Sequence, residues 1–422
     1  MKIMTKKKFS VIGIGYVGLP LAVALSRNNK IVGFDTNINR VQGLQKGHDI
    51  TKEFSKNDLI KNKNLIFTNK EAEIKNSDVF FITVPTPINN RNKPNLEHLE
   101  QASKTVARNI KKNSIVVFES TVYPGCTEEV CLPIIEKFSR LKANKDFHLA
   151  YSPERINPGK SKYKLKNTIK VLGSSNKKTT FLLSKIYKKI CLGVHVVRDI
   201  KIAEAAKIIE NTQRDLNIAL INELSIIFKK MNLDINKILK AASTKWNFIN
   251  FQPGLVGGHC IGVDPYYLTF KSEKLNYKPK VILAGRKIND SMSHYVGKNV
   301  FSLLKKKKTN SNKILILGAA FKENCSDLRN SKIFDTIKFL EKRGATIYIY
   351  DPLVPNHILK KYVKKVLTKL DRNNFFDAAI ISVKHEKFKK LGVKKIRKNL
   401  KKNGLIFDLK SVFLSSQVDW TL

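Results

Sequence analysis

The sequence predicts an α/β chain in which two parallel-sheet units flank a central all-helical segment. Three observations predict it. First, Gly13-Ile14-Gly15-Tyr16-Val17-Gly18 stands between an apolar, β-leaning run and a helical one, with an acid following at Asp35. Second, from Asp199 onward apolar residues recur at three- and four-residue steps, the mark of a long amphipathic helix. Third, the order strand, glycine turn, helix, strand, aspartate returns near the C-terminal end with Lys313–Leu317, Gly318, Thr346–Tyr350 and Asp351.

At 422 residues the chain can hold two or three domains with full cores. A hydrophobic content of 42% with mixed charge is that of a globular protein. The formal charge of +45 raises nucleic-acid binding, yet 66 of the 79 basic residues are lysine and they are scattered. A nucleic-acid binder favours arginine and concentrates it. The charge therefore reads as a solvated surface that attracts anionic ligands, and no nucleic-acid partner is expected. The five cysteines are odd in number and lack metal-ligand spacing. They are expected as free thiols in a reducing, cytoplasmic compartment, with no metal. No apolar run reaches the length of a membrane span, so no membrane insertion is expected. Met1–Leu25 has the lysines, apolar run and Ala22-Val23-Ala24 of a secretory signal, but its glycines favour a strand, turn and helix.

Taken in order, Phe9–Ile14 is the first strand and Leu19–Ser26 the first helix. In the triad, Gly13 makes the tight turn, Gly15 lets a pyrophosphate approach the backbone, and Gly18 lets helix and strand pack. The helix N-terminus that follows attracts phosphate. Ile31–Phe34 is a second strand ending at Asp35, an acid placed to bind the ribose hydroxyls of NAD and to repel the extra phosphate of NADP. NAD is the expected cofactor. Arg40 fits either the adenosine side or the surface. Further strands at Asp78–Val84, Ser114–Phe118 and Phe147–Tyr151 lead into Pro85-Thr86-Pro87, Glu119-Ser120-Thr121 and Ser152-Pro153-Glu154-Arg155. Ligands of an open parallel sheet bind beyond the strands' carboxyl ends. Thr83, Thr86, Ser120 and Thr121 are thus candidate contacts, or else ordinary turn residues. Glu154 is a candidate for acid–base work. This first domain is expected to span residues 1–198.

Residues 199–308 read as the helical domain and a dimer surface. Lys207 and Asn211 lie four apart on its long first helix and share a face. A solvated lysine is the default; an oxyanion-stabilising pair is the functional reading. Leu233–Ala242 and Val281–Leu304 are two more helices. In the stretch Gly254–Tyr267, Cys260 follows Gly257-Gly258 and precedes Asp264 by four residues. Such glycines let the backbone pass close to a ligand or take positive φ. Alone, the cysteine reads as a buried small thiol; placed at a cleft, it is a nucleophile. Lys305–Asn312 reads as a linker, and residues 309–422 as the second α/β domain. That domain lacks the glycine triad, which argues against a second dinucleotide. Lys322 and Arg329 follow its first strand.

These motifs, in this order, resemble the UDP-glucose/GDP-mannose dehydrogenase family across essentially the whole chain. The resemblance rests on the glycine triad, Val84-Pro85-Thr86-Pro87, Ser120-Thr121-Val122, Ser152-Pro153-Glu154, Glu204-Ala205-Ala206-Lys207 with Asn211, Gly257-Gly258-His259-Cys260 with Asp264, Phe321-Lys322, and Asp327-Leu328-Arg329-Asn330-Ser331. It implies two Rossmann-like domains joined by the central helices, and a homodimer. It also implies two successive oxidations, of the C6 alcohol of a nucleotide sugar to the aldehyde and then to the uronic acid, through a thiohemiacetal and a thioester on Cys260. By this resemblance Lys207 and Asn211 serve the oxyanion, while Thr121, Glu154 and Asp264 orient or activate water. Glu154, Arg155, Lys207, Asn211, Gly257 and Lys322 contact substrate. Thr86, Ser120, Thr121 and Arg329 join Asp35, Arg40 and the glycine loop around NAD. Many glucose-type members carry a second glutamate where this chain has Pro158, which leaves the hydrolytic base open. Gly254–Tyr267 looks most like members acting on UDP-N-acetylhexosamines (UDP-GlcNAc or UDP-GalNAc) in surface-polysaccharide synthesis. UDP-ManNAc ranks next, then UDP-glucose or GDP-mannose. An NAD-retaining epimerase is a rival class, resting on a single Tyr267-x-x-x-Lys271 match.

Overall fold

The computed structural model describes residues 7–51, 53–156, 164–307 and 312–422. The chain divides into two compact units, residues 1–210 with 266–277 and residues 211–265 with 278–422.

The first unit is built on β1 (Lys8–Ile12), β2 (Lys30–Phe34), β3 (Leu65–Thr68), β4 (Val79–Ile82), β5 (Ile115–Phe118), β6 (His148–Tyr151), β7 (Ile169–Ser174) and β8 (Gly193–Val196). They form one sheet in the order β3-β2-β1-β4-β5-β6-β7-β8. All pairs are parallel except β6 with β7. Strands covered on both faces must be apolar throughout, and every residue of β4 and β5 is buried. The helix Gly18–Leu25 packs Leu19, Leu21, Ala22 and Leu25 into the same core as Phe9 and Val11.

Strands β7 and β8, and the helix Lys177–Tyr187 between them, are additions to the sequence reading. Their apolar pattern is interrupted by lysine. Lys170, inside β7, is 1% exposed and gives its ammonium to Glu119 Oε2 at 2.6 Å. The same nitrogen reaches the carbonyls of Ser152 and Pro153, and Tyr187 Oη donates to Glu119 Oε1. A buried charge is tolerable only when so paired.

The second unit carries β9 (Lys313–Leu317), β10 (Thr346–Tyr350), β11 (Lys365–Val366), β12 (Phe376–Ile381), β13 (Leu400–Asp408) and β14 (Trp420–Thr421) in a parallel sheet ordered β11-β10-β9-β12-β13-β14. It repeats the first sheet's central device closely. After β1, Gly13 at φ +91 donates its N–H to Phe34 O, and Ile14 N donates to Asp35 Oδ2 at 2.8 Å. After β9, Gly318 at φ +94 donates to Tyr350 O, and Ala319 N donates to Asp351 Oδ2 at 2.7 Å. Thr83 Oγ1 caps the Gly13 carbonyl and Ser382 Oγ caps that of Gly318. The copies differ at the acid. Asp351 is buried against His385, Nε2 to Oδ2 3.3 Å with both side chains fully covered, whereas Asp35 is partly exposed.

The helix Ile200–Lys230 has 31 residues, about 46 Å at 1.5 Å per residue, and its chain passes from the first unit into the second. Ile235–Ala242 and Lys280–Lys306 are helical as expected, the latter extending two residues beyond Leu304 into the anticipated linker. The helix Asp264–Lys274, which begins at the aspartate of the cysteine stretch, is a further addition. Among the described residues no helix is long and apolar enough to cross a membrane.

Candidate active site

In the first unit the glycine loop is shaped as its residues demand. A Cβ on Gly18 would lie 1.9 Å from Gly13 O and 2.5 Å from Thr83 Oγ1, so helix and strand can meet only at glycine. A Cβ on Gly15 would meet nothing within 4 Å. Its backbone thus faces open space at the start of the helix, the cradle a pyrophosphate needs. Tyr16 and Val17 complete the turn, and Asp35 holds it from beneath while a flank stays exposed. These residues fit NAD.

Arg40 is not the surface charge that the sequence also allowed. It is 9% exposed, donates Nε to Ile14 O, and pairs Nη1 with Asp49 Oδ1 at 2.9 Å. Burial pulls the Asp49 carboxyl upward, but hydrogen bonds from Thr51 and Arg40 hold it below the usual range. Arg40 therefore braces the glycine loop from behind.

At the carboxyl ends of β4 and β5 the hydroxyls stitch the loops together. Thr86 Oγ1 donates to Thr121 O and Ser120 Oγ to Val84 O, both at 2.7 Å. Tyr267 Oη donates to Thr86 O, and Lys271 pairs with Glu129, so each half of the Tyr-x-x-x-Lys match has a separate structural partner.

Beyond β6, Glu154 takes the Ile156 N–H on Oε1, while its Oε2 is buried with no partner among the described residues. Burial raises its pKa against the opposing charges of Lys170 and Lys207. A carboxyl of that kind suits general acid–base work. Arg155 pairs with Glu210. Pro158 lies outside the described residues. Lys207, for which a solvated side chain was the default, is 9% exposed and gives its ammonium to Glu154 O at 2.7 Å. One turn earlier, Glu204 accepts from Gly125 N, Thr127 N and Thr127 Oγ1.

In the second unit the cysteine stretch is pinned at its start through both backbone groups of Gly254. Asn222 Nδ2 donates to Gly254 O, and its Oδ1 accepts Gly254 N at 2.8 Å. Asn222 is itself bonded to Asn289, which donates to Asp215, the buried partner of Arg286. The glycine pair then lies against its own unit. A Cβ on Gly257 would be 2.6 Å from Asn330 O, and one on Gly258, at φ +86, 2.8 Å from the Phe321 ring. The close approach these glycines allow is therefore to Phe321 and Asn330, with Asn330 Nδ2 donating to Gly258 O.

Cys260 is partly exposed, whereas Cys126, Cys131 and Cys191 are buried, which overturns the reading of Cys260 as a buried small thiol. Its Sγ lies 3.1 Å from His259 Nδ1. Asp264 opens the next helix at 1% exposure and accepts from Asn211 Nδ2 at 2.5 Å. Lys322 is partly buried beside Phe321, and exposed Arg329 binds Asp327 through Nε and Nη2. The sequence reading quoted Asp327 without a role; only the fold brings it to His259, Nε2 to Oδ2 3.9 Å.

An NAD-type glycine loop, a second mononucleotide-type fold and a partly exposed thiol thus stand on one chain, the parts of a nucleotide-dependent dehydrogenase. Residues 7–191, 201–291 and 315–415 match the NAD binding, central and UDP binding domains of the UDP-glucose/GDP-mannose dehydrogenase family. UDP-N-acetyl-D-glucosamine 6-dehydrogenase of Salmonella typhi is 46% identical over 98% of this chain and 98% of its own. The Pseudomonas aeruginosa protein of the same name is 44% identical over 99% and 100%, and Protein CapL of Staphylococcus aureus 44% over 98% of each. Among solved structures, the UDP-D-ManNAc dehydrogenase of Pyrococcus horikoshii superposes with a TM-score of 0.87 at 28% identity, covering 97% of this chain and 96% of that one. The chain belongs to the UDP-glucose/GDP-mannose dehydrogenase family, and it is an NAD-dependent oxidoreductase.

Proposed function

We propose that this protein oxidises the C6 alcohol of UDP-N-acetylglucosamine to the uronic acid, for surface-polysaccharide synthesis in the cytoplasm. The observation that carries the substrate is identity. Two proteins named for UDP-N-acetyl-D-glucosamine match at 44–46% over nearly the full chain, against 29–34% for those named for UDP-N-acetyl-D-mannosamine. Residues 1–198 hold NAD, 199–308 supply Cys260, and 309–422 hold the UDP portion through Lys322. NAD, when bound, accepts a hydride from C6 in each of two oxidations.

The residues divide the remaining work. Cys260 Sγ adds to the C6 aldehyde and keeps it as a thiohemiacetal, later a thioester. Lys207 and Asn211, one helical turn apart, stabilise the oxygen that bears the charge. Asp264 fixes the Asn211 amide. Glu154, with its pKa raised by burial, takes the proton of the hydrolytic water, and Thr121 orients that water. Arg155 and Gly257 border the sugar nucleotide, while Thr86, Ser120, Arg40 and Arg329 serve NAD directly or by bracing its loops.

NADH released per sugar consumed, over a panel of UDP-sugars, tests the proposal. Two NADH per UDP-N-acetylglucosamine are expected, with the highest kcat/KM of the panel. Cys260→Ser should lose turnover by about a thousandfold or more, as removal of a nucleophile does. One NADH per turnover with an active serine variant defeats the covalent route, and a preference for another sugar defeats the substrate assignment.

A homodimer is part of the proposal. Ile202, Ile209, Leu220 and Ile227 are 44–58% exposed along the helix Ile200–Lys230. Their steps of seven, eleven and seven residues return to one helical face. That stripe supports a second copy as its cover.

A further inference from the structure

Cys260 and its neighbour form more than a placed thiol. His259 Nδ1 is 3.1 Å from Sγ, and on the other side of the ring Nε2 faces Asp327 Oδ2 at 3.9 Å. Carboxylate, imidazole and thiol stand in sequence within one unit. The glycine pair sets this order, because Gly258 at positive φ brings the backbone down onto Phe321. The edge of the His259 ring then meets Phe321, centroids 6.2 Å apart. Arg329 anchors the carboxylate from beyond with three donors, N, Nε and Nη2.

We infer that His259, oriented by Asp327, is the base that takes the Cys260 thiol proton as sulfur attacks the substrate aldehyde. This deepens the covalent route proposed above and rests on it. Nδ1 is the acceptor because it faces sulfur, which leaves the ring proton on Nε2 toward Asp327. At 3.9 Å the carboxylate acts chiefly through its charge, which favours the imidazolium once it forms.

The step balances. Sulfur bonds to C6, the carbonyl π pair moves to oxygen, and the thiol proton passes to Nδ1. The hydride transfers to NAD that belong to the activity supply the oxidation. On hydrolysis water adds its hydroxyl to the acyl carbon, the carbon–sulfur pair returns to sulfur, and Nδ1–H gives its proton back.

The charged groups around the ring agree with this assignment. Burial pushes the Asp327 carboxyl up, but hydrogen bonds from Arg329, then the charges of Arg329 and His259, bring it below its ordinary value. It is therefore an anion at neutral pH. Asp264, one turn past Cys260, is committed to Asn211. Phe321 contributes no charge.

Alkylation of Cys260 by iodoacetamide, followed on its own peptide by mass spectrometry across pH without NAD or sugar, tests the pair. The wild-type thiol should titrate below the ordinary value of about 8.5, and His259→Gln should slow alkylation at pH 7 about tenfold, recovering at alkaline pH. Asp327→Asn should move the profile the same way by less. A wild-type thiol with ordinary titration, or a His259→Gln profile superimposed on wild type, overturns the inference. Should His259→Gln fail to fold, the wild-type and Asp327→Asn profiles still decide. The readout needs no turnover, so a failed NADH stoichiometry would sink the proposed function while leaving the pair standing.

Discussion

Glu204 shows how a single carboxyl can set a pH response. It lies in the second turn of the long helix, is fully buried, and receives three donors from Gly125 and Thr127. The donors favour its charge, but burial prevails and lifts its pKa from 4.5 to about 7. The folded chain thus holds this proton more tightly than the unfolded one. The group favours folding fully below pH 4.5, and the contribution fades as pH rises through 7. Glu204→Gln should flatten that slope, so melting temperatures from pH 5 to 8 should fall more steeply for wild type than for the variant. Single residues were also where the sequence was least legible. Lys207 and Arg40 are chemically identical to dozens of solvated cations in the same chain, and only tertiary contacts to Glu154 O and Asp49 distinguish them. Asp35, by contrast, stands where the sequence places it, at the end of the second strand, and there it accepts the Ile14 N–H of the glycine turn.

Elements with strong periodicity were legible and those interrupted by charge were not. Lys313–Leu317 and Thr346–Tyr350 are uninterrupted enough to be read to the residue. Strand β7 escaped because Lys170 breaks its pattern, and the helix Asp264–Lys274 because Gly262 lies just before it and Pro265 in its first turn. The cysteine stretch itself has little regular structure and depends on what holds it. Asn222, 0% exposed, closes two hydrogen bonds on the Gly254 backbone. Asn222→Ala strands that buried N–H and carbonyl, at a cost of about 1–3 kcal/mol each. Urea unfolding should register the loss, and the Gly254 amide should exchange faster with deuterium than in wild type.

At the scale of the whole molecule, the exposed apolar stripe of the long helix bears on association. Isolated exposed apolar residues are ordinary, but a stripe of four aligned ones invites burial. If the stripe is the contact of the homodimer proposed above, Ile209→Glu with Leu220→Glu should halve the mass seen by light scattering in solution, with native circular dichroism retained; an unchanged mass would exclude the stripe as that contact. A second whole-molecule feature is the repetition of one turn device in two sheets. Any chain that contains two such folds must stop its cofactor from occupying the wrong one, since a dinucleotide is a large ligand with generic phosphates. At Asp351 the carboxylate is already spent on His385, with both side chains sealed from solvent. With that acid committed and no glycine triad after β9, the second fold offers a dinucleotide neither the open loop nor the partly exposed acid of the first.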